Sequence, residues 1–304
     1  MTANTKTRQL NWEDLKIFLT VYRAGNIAGA AKKLKLDDST ISRRIAQLEV
    51  YLGSKLFERT RNGMIQTKFA QEIINQLTKV ELGIDGLNEI VTHEKNISGT
   101  VRIAMMEGIG SLYLAHKFAP FFHDNPNIKI ELVTSPNFVR VGYREADLFL
   151  SFFKLASKGI TCERIGEFSL FLYASQAYFK KFGKPNSKSD LSQHHFVTYI
   201  DDLIQIDTVR WLAEVIKNPN VSVSSSSMVA QIALASSGAG IVLLPKFSIP
   251  KDTNLVPILK DEVRVKRDVF ISAPSDLLNV ERILKVKSFI NGVFMSDHKY
   301  LNQP

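Results

Sequence analysis

Residues 11–67 read NWEDLKIFLTVYRAGNIAGAAKKLKLDDSTISRRIAQLEVYLGSKLFERTRNGMIQT, and this stretch decides the fold of the head. Leu15, Phe18, Leu19 and Tyr22 recur at the spacing of one helix face. Gly25-Asn26 breaks that pattern, and Ile27, Ala30, Ala31 and Leu34 repeat it in a shorter helix whose alanines permit close approach. Asp37-Asp38-Ser39-Thr40 supplies side-chain oxygens for the unpaired amides of a third helix start. In that helix Ile41, Ile45, Leu48 and Leu52 form the inward stripe, while Thr40, Ser42, Arg43, Arg44 and Gln47 point away from it. Gly53 ends the helix, and KLFERTRNGMIQT reads as strand, turn at Asn62-Gly63, and strand.

Two helices across a tight turn, the second offering hydroxyl and guanidinium groups, have the geometry that enters a DNA major groove. The hairpin behind them is a wing. The candidate DNA contacts are Lys32, Ser39, Thr40, Ser42, Arg43, Arg44 and Gln47 on the helices, with Arg59, Arg61 and Asn62 on the wing. Charge agrees with this reading. Residues 1–68 hold 13 Lys and Arg against 6 Asp and Glu, whereas the other 236 residues of the 304 are nearly balanced despite a net charge of +9 for the whole chain.

The sequence from Asn11 to Thr67 resembles the N-terminal domain of LysR-type transcriptional regulators in its Ala-Ala helix, its Ser-Arg-Arg recognition helix and its Leu-Phe-Glu-Arg wing. The resemblance implies an α/β protein with an N-terminal winged helix-turn-helix, a long linker helix, and a two-lobed effector domain like periplasmic binding proteins. Two positions depart from the family pattern. Asp37-Asp38 stand where a Ser or Thr and then Gln or His are usual, and Thr67-Lys68-Phe69-Ala70 replaces the common Thr-Glu-Ala-Gly. An acid at position 38 either accepts from cytosine or caps the helix.

Beyond the wing, Phe69, Ile73, Leu77, Val80, Ile84, Leu87 and Val91 follow a nearly strict heptad, which predicts a long helix pairing two subunits. After a Gly99 turn, strands are predicted in GTVRIAMM, IKIELVT and DLFLSFF, with helices at Gly108–Phe122 and Asn137–Glu145 between them. A second set follows in ITCERIGEFSLFLYA, HFVTYI, NVSVSS and GIVLLP, with helices starting at Ser175 and within SMVAQIALASSG; VKRDVFISAP and a helix at Asn279–Phe294 then return to the first lobe. The expected domains are 1–67 (reader), 68–95 (dimerisation helix) and 96–304 (effector domain), the last divided into lobe I at about 99–168 and 266–304 and lobe II at about 169–265.

By the family likeness, an effector meets Glu107, Gly108, Ile109, Gly110 and Ser111, then Thr134, Phe149, Ser151, Phe152, Tyr199, Ile200, Ser226, Ser227 and Met228. Helix starts and hydroxyls suit a polar head group. Yet Ser151 stands where many relatives have Arg, and Glu107 is acidic, which weakens the case for an anionic effector. Phe149 and Phe152 also fit an ordinary strand core. The resemblance further implies promoter DNA, a small molecule, further copies of the chain as dimer or tetramer, and RNA polymerase as partners.

Other classes fit less well. There is no Gly-x-Ser-x-Gly elbow, Walker loop or His-Glu-x-x-His, so neither catalysis nor a cofactor or metal site is expected. Gly238-Ala239-Gly240 follows a predicted helix and precedes a strand, the reverse of a phosphate-cradling loop. A secreted solute-binding protein is opposed by the basic head and by Glu13, Asp14 and Lys16 where a leader would be apolar, and the single Cys162 allows no intrachain disulfide. A cytoplasmic regulator with no membrane segment is the expectation.

Overall fold

The computed structural model describes residues 10–60, 63–91, 97–135, 146–203 and 210–304. The predicted helix at Asn137–Glu145 and the wing positions Arg61 and Asn62 lie outside these, as do the side chains of Arg59 and Val91. Packing divides the chain into two units, Met1–Glu94 and Lys95–Pro304.

In the first unit, α1 (Trp12–Ala24) begins at Asn11, whose side chain accepts from the Glu13 amide at 2.9 Å, and it ends at Gly25 with φ 71°. The α2 helix (Ile27–Leu34) begins at Asn26, which accepts from the Gly29 amide at 2.7 Å, and stops at Lys35 with φ 55°. The α3 helix (Asp38–Leu52) ends at Gly53 with φ 67°. Asp37 takes the capping position of α3 in extended conformation, but its side chain makes no capping hydrogen bond, so the expected carboxylate cap is absent there. Leu15, Phe18 and Leu19 meet Ala30, Ala31, Ile41, Ile45 and Leu48 in one core, with Tyr22, Leu34 and Leu52 packed around it.

The wing is β1 (Phe57–Thr60) against β2 (Gly63–Gln66), antiparallel from Phe57↔Gln66 to Thr60↔Gly63. Gly63 is thus the first residue of a strand rather than part of the turn. The buried Glu49 clamps this hairpin to α3. Its carboxylate accepts the Leu56 and Phe57 amides at 2.8 and 3.3 Å and pairs with Lys55 at 2.7 Å.

The linker helix α4 (Lys68–Val91) is about 36 Å long at 1.5 Å per residue. Thr67 starts it, accepting the Ala70 amide at 3.1 Å while donating to the Lys55 carbonyl at 2.7 Å. The predicted seam divides along this helix. Ala70, Ile74 and Leu77 are buried in the head's own core, and Phe69 and Ile73 pack against it, whereas Val80 and Leu87 are 48% and 62% exposed. Leu77 is therefore a core residue of the head and not a dimerisation contact, because the first turns of α4 must cover the open side of the three-helix core. Arg23 locks that arrangement with a bidentate pair to Glu81 at 3.0 and 2.7 Å.

The second unit contains β3 (Gly99–Met106), α5 (Glu107–Ile109), α6 (Ala119–Asp124), β4 (Ile128–Ser135), β5 (Leu148–Ser151), β6 (Ile160–Ser175), α7 (Gln176–Phe182), β7 (His195–Thr198), β8 (Asn220–Ser224), α8 (Met228–Ser236), β9 (Ile241–Pro245), β10 (Leu255–Ile258), β11 (Val265–Pro274), α9 (Glu281–Ser296) and α10 (His298–Leu301). The helix predicted at Gly108–Phe122 is instead broken into short turns. Gly110 lies so close to Met105 and Thr134 that a Cβ would collide, and Pro120 starts α6 afresh.

The strands form one mixed sheet ordered β4-β3-β5-β11-β6-β9-β7-β8, with β10 beside β6. Parallel pairs β3/β4, β3/β5, β7/β8 and β7/β9 build the two lobes. The long antiparallel pair β6 and β11 runs through both, pairing Ile160 with Pro274 at one end and Leu170 with Val265 at the other. The lobes thus exchange chain in mid-strand, and the register shifts between Val269 and Phe270. Ser175 and Ser227 cap α7 and α8, accepting the Tyr178 and Ala230 amides.

Replacing Glu49 with alanine orphans two buried amides, and the expected cost is about 1–3 kcal/mol to the head. Denaturant unfolding of Glu49→Ala and Glu49→Gln checks this, with the glutamine variant, which keeps an acceptor, expected to lose less.

Candidate DNA-reading edge and interlobe cleft

The first turns of α3 turn one polar edge away from the core. Ser39 and Arg43 are exposed, with Thr40, Ser42 and Gln47 half-buried along the same side, and Lys32 is exposed in the last turn of α2. Arg44 departs from the expected edge. Its Nε pairs with Asp14 of α1 at 2.7 Å, so this guanidinium ties two head helices together instead of standing free for a base. Asp38, exposed as the first residue of α3, places negative charge where the helix dipole favours it. That accounts for an acid in the reading edge.

In the second unit, the start of α5 and the start of α8 meet across the lobes. Glu107 accepts the Ser227 hydroxyl at 3.1 Å and the Met228 amide at 2.9 Å. Its carboxylate thereby takes the electropositive N-terminus of α8. A Cβ on Gly108 would come within 2.6 Å of the Met228 sulfur, so the glycine allows the lobes to close this far.

A cavity of about 10 Å³ lies behind this contact, bounded by Met106, Glu107, Gly108, Ile109, Phe152, Phe168, Tyr199, Trp211, Met228, Pro245 and Phe247. The rings of Phe152, Phe168 and Trp211 stand edge to face at 5.2–6.1 Å, and Phe247 adds a fourth ring 5.5 Å from Phe168. Burial, reinforced by the Glu107 charge, pushes the Tyr199 phenol above its ordinary range and keeps it neutral. Tyr199 and Trp211 also line a larger cavity of about 560 Å³ in lobe II, with Thr198, Ser224 and Gln231 among its polar walls.

The cleft gathers Glu107, Gly108, Ile109, Phe152, Tyr199 and Met228 from the sequence-predicted set, with Ser227 at its edge through Glu107. Phe149 is corrected to core, packed with Ala104, Ala146, Val133 and Leu155 on the other side of its strand. Ser151 is 1% exposed and spends its hydroxyl on the Phe153 carbonyl at 2.8 Å, so it is a structural residue too. Gly110, Ser111, Thr134, Ile200 and Ser226 do not border the cavity. Sequence reasoning missed Phe168, Trp211 and Phe247. No local sequence pattern marks any of the three.

A winged helix-turn-helix joined through a long helix to two α/β lobes around a cleft defines a ligand-responsive DNA-binding protein. Residues 12–71 match the family model for bacterial regulatory helix-turn-helix proteins of the lysR family, and residues 94–291 match the LysR substrate binding domain. The chain belongs to the LysR family of transcriptional regulators, which are DNA-binding regulators and not enzymes.

Among its relatives is the HTH-type transcriptional regulator CrgA of Neisseria meningitidis, 24% identical over 275 residues that cover 86% of this chain and 89% of CrgA. YhjC of Escherichia coli, an HTH-type transcriptional regulator, is 26% identical over 251 residues, covering 77% of this chain and 80% of that protein. Similar solved folds include CrgA, with a TM-score of 0.56 at 22% identity over 95% of this chain and 99% of that one. A full-length OxyR variant from Pseudomonas aeruginosa gives 0.70 at 15% identity over 94% and 98%.

Arg43→Ala is expected to weaken binding to a specific promoter fragment more than to random DNA, with little change in melting. Arg44→Ala is expected to cost the head about 0.2–1 kcal/mol through loss of the Asp14 pair. Equilibrium DNA titrations and thermal unfolding of the two variants side by side check the distinction.

Proposed function

We propose that this chain regulates transcription from promoter DNA as a homodimer, or a tetramer formed from two dimers, and that a small molecule bound between its lobes sets the outcome. In this reading residues 1–67 are the reader, 68–95 the dimerisation helix and 96–304 the sensor. The observation that carries it is the outward polar edge of α3, with Ser39, Thr40, Ser42, Arg43 and Gln47 at the front of a strongly basic head. Lys32 and the wing residues Arg59, Arg61 and Asn62 act on the phosphates beside it.

Dimerisation rests on the far half of α4. Val80 and Leu87 are exposed and Ile84 half-buried on a helix that has left its own core. A two-fold pair of such helices sets two recognition helices against two half-sites. The effector acts at Glu107, Tyr199, Ser227 and Met228, where lobe I meets lobe II, and alters half-site spacing or DNA bend and thereby access for RNA polymerase.

Leu87→Glu is expected to raise the dimer dissociation constant at least about tenfold without changing head stability. Leu77→Ala is expected to destabilise the head by about 2–5 kcal/mol. Sedimentation equilibrium and unfolding of both variants test the division of α4. Dimer affinity unchanged in Leu87→Glu would contradict this interface.

A further inference from the structure

We propose that the ligand of the interlobe cleft is a small alkylated ammonium ion, held by the charge of Glu107 and the ring faces around it. This rests on the reading of that cleft as the effector site and adds the chemical class.

The first argument is charge. Among the described residues that line the cavity, Glu107 alone carries an ionised side chain, so the charge on the cavity wall is negative. A carboxylate or phosphate effector would need the α8 N-terminus, and Glu107 already occupies it through the Met228 amide and the Ser227 hydroxyl. An incoming anion would have to expel a tethered one of the same sign.

The second argument is the shape of what remains. The protein's own hydrogen bonds take one position on each Glu107 oxygen, which leaves about two acceptor positions, fewer than the three donors of a primary ammonium, beside the full negative charge. An alkylated ammonium needs just that, because its charge is spread over a methyl-covered surface with few or no N–H donors. Phe152, Phe168, Tyr199, Trp211 and Phe247 supply aromatic surface, and Met228 a polarisable sulfur, which together make the apolar side of a cation cage. Trp211 already takes part in such a contact. The Arg267 guanidinium lies 5.8 Å from the Trp211 ring centre and is itself neutralised by Glu214.

The cavity of about 10 Å³ is smaller than a trimethylammonium group, so the guest enters with the lobes parted and the rings reclose on it. The Glu107 bonds to Ser227 and Met228 re-form as the lobes reclose, so the carboxylate keeps its protein partners and the cation adds to them.

The test is calorimetric titration of the full chain with three probes of one shape: choline, its uncharged isostere bearing a tert-butyl group for trimethylammonium, and the carboxylate on the same tert-butyl skeleton. Choline is expected to bind at least about tenfold more tightly than either. Glu107→Gln is expected to reduce choline affinity at least about tenfold, with Glu107→Asp retaining most of it and circular dichroism confirming that both fold. Because the chain has two Trp, a Trp12→Phe background leaves Trp211 as the fluorescent reporter, and choline is expected to change its emission.

Equal binding of the neutral isostere, or no choline binding, overturns the proposal. If the carboxylate binds best and changes Trp211 emission, the cation class falls while the cleft reading stands. If choline binds without affecting Trp211 and regardless of Glu107, the cleft reading itself falls.

Discussion

The antiparallel pairing of β6 with β11 is the constraint on which the sensor half depends. Each strand crosses from one lobe to the other, so every lobe-to-lobe movement must be accommodated within one hydrogen-bonded ladder. That ladder is least regular at the register shift between Val269 and Phe270. The lobes also close on one another at the cleft. Glu107 against Ser227 and Met228 is the polar part of that closure, and the rings of Phe152, Phe168 and Trp211 are its apolar part. These contacts are the ones on which the proposed ligand acts.

The head obeys a different constraint. Three short helices cannot bury enough apolar surface alone, and the first turns of α4 complete their core with Ala70, Ile74 and Leu77. The linker helix is consequently rigid with the reader over its first half, reinforced by Arg23 and Glu81. Any force on its far half is carried to α3 through packed side chains. Glu49 joins the wing to the same body, so the edge and the wing move together.

Much of this was legible from local chemistry. Ser175 and the SMVAQ segment announced helix starts, Gly25 and Gly53 announced ends, and short apolar runs located β3, β4, β8 and β9. Those signals act within a few residues of the chain. What escaped was decided by distant partners. Leu77 keeps perfect heptad spacing and still belongs to the head, since spacing does not say which neighbour a helix meets first. Arg44 reads like Arg43 until Asp14 is placed beside it. The aromatic wall is drawn from four separate elements, and no pattern along the sequence links Phe152, Phe168, Trp211 and Phe247. Phe149 shows the opposite lesson, a strand residue whose alternation turned it away from the cleft.

In the proposed function a basic head reads DNA through the exposed edge of α3, and a paired α4 sets the distance between two such edges. Footprinting of the full chain on genomic fragments that it selects, across a range of salt, tests this most directly. The account predicts salt-dependent protection of two half-sites whose centres lie about 10 base pairs, or a multiple of that, apart on one face of the duplex. Protection of a single isolated half-site, or no salt-sensitive binding to any fragment, would contradict it.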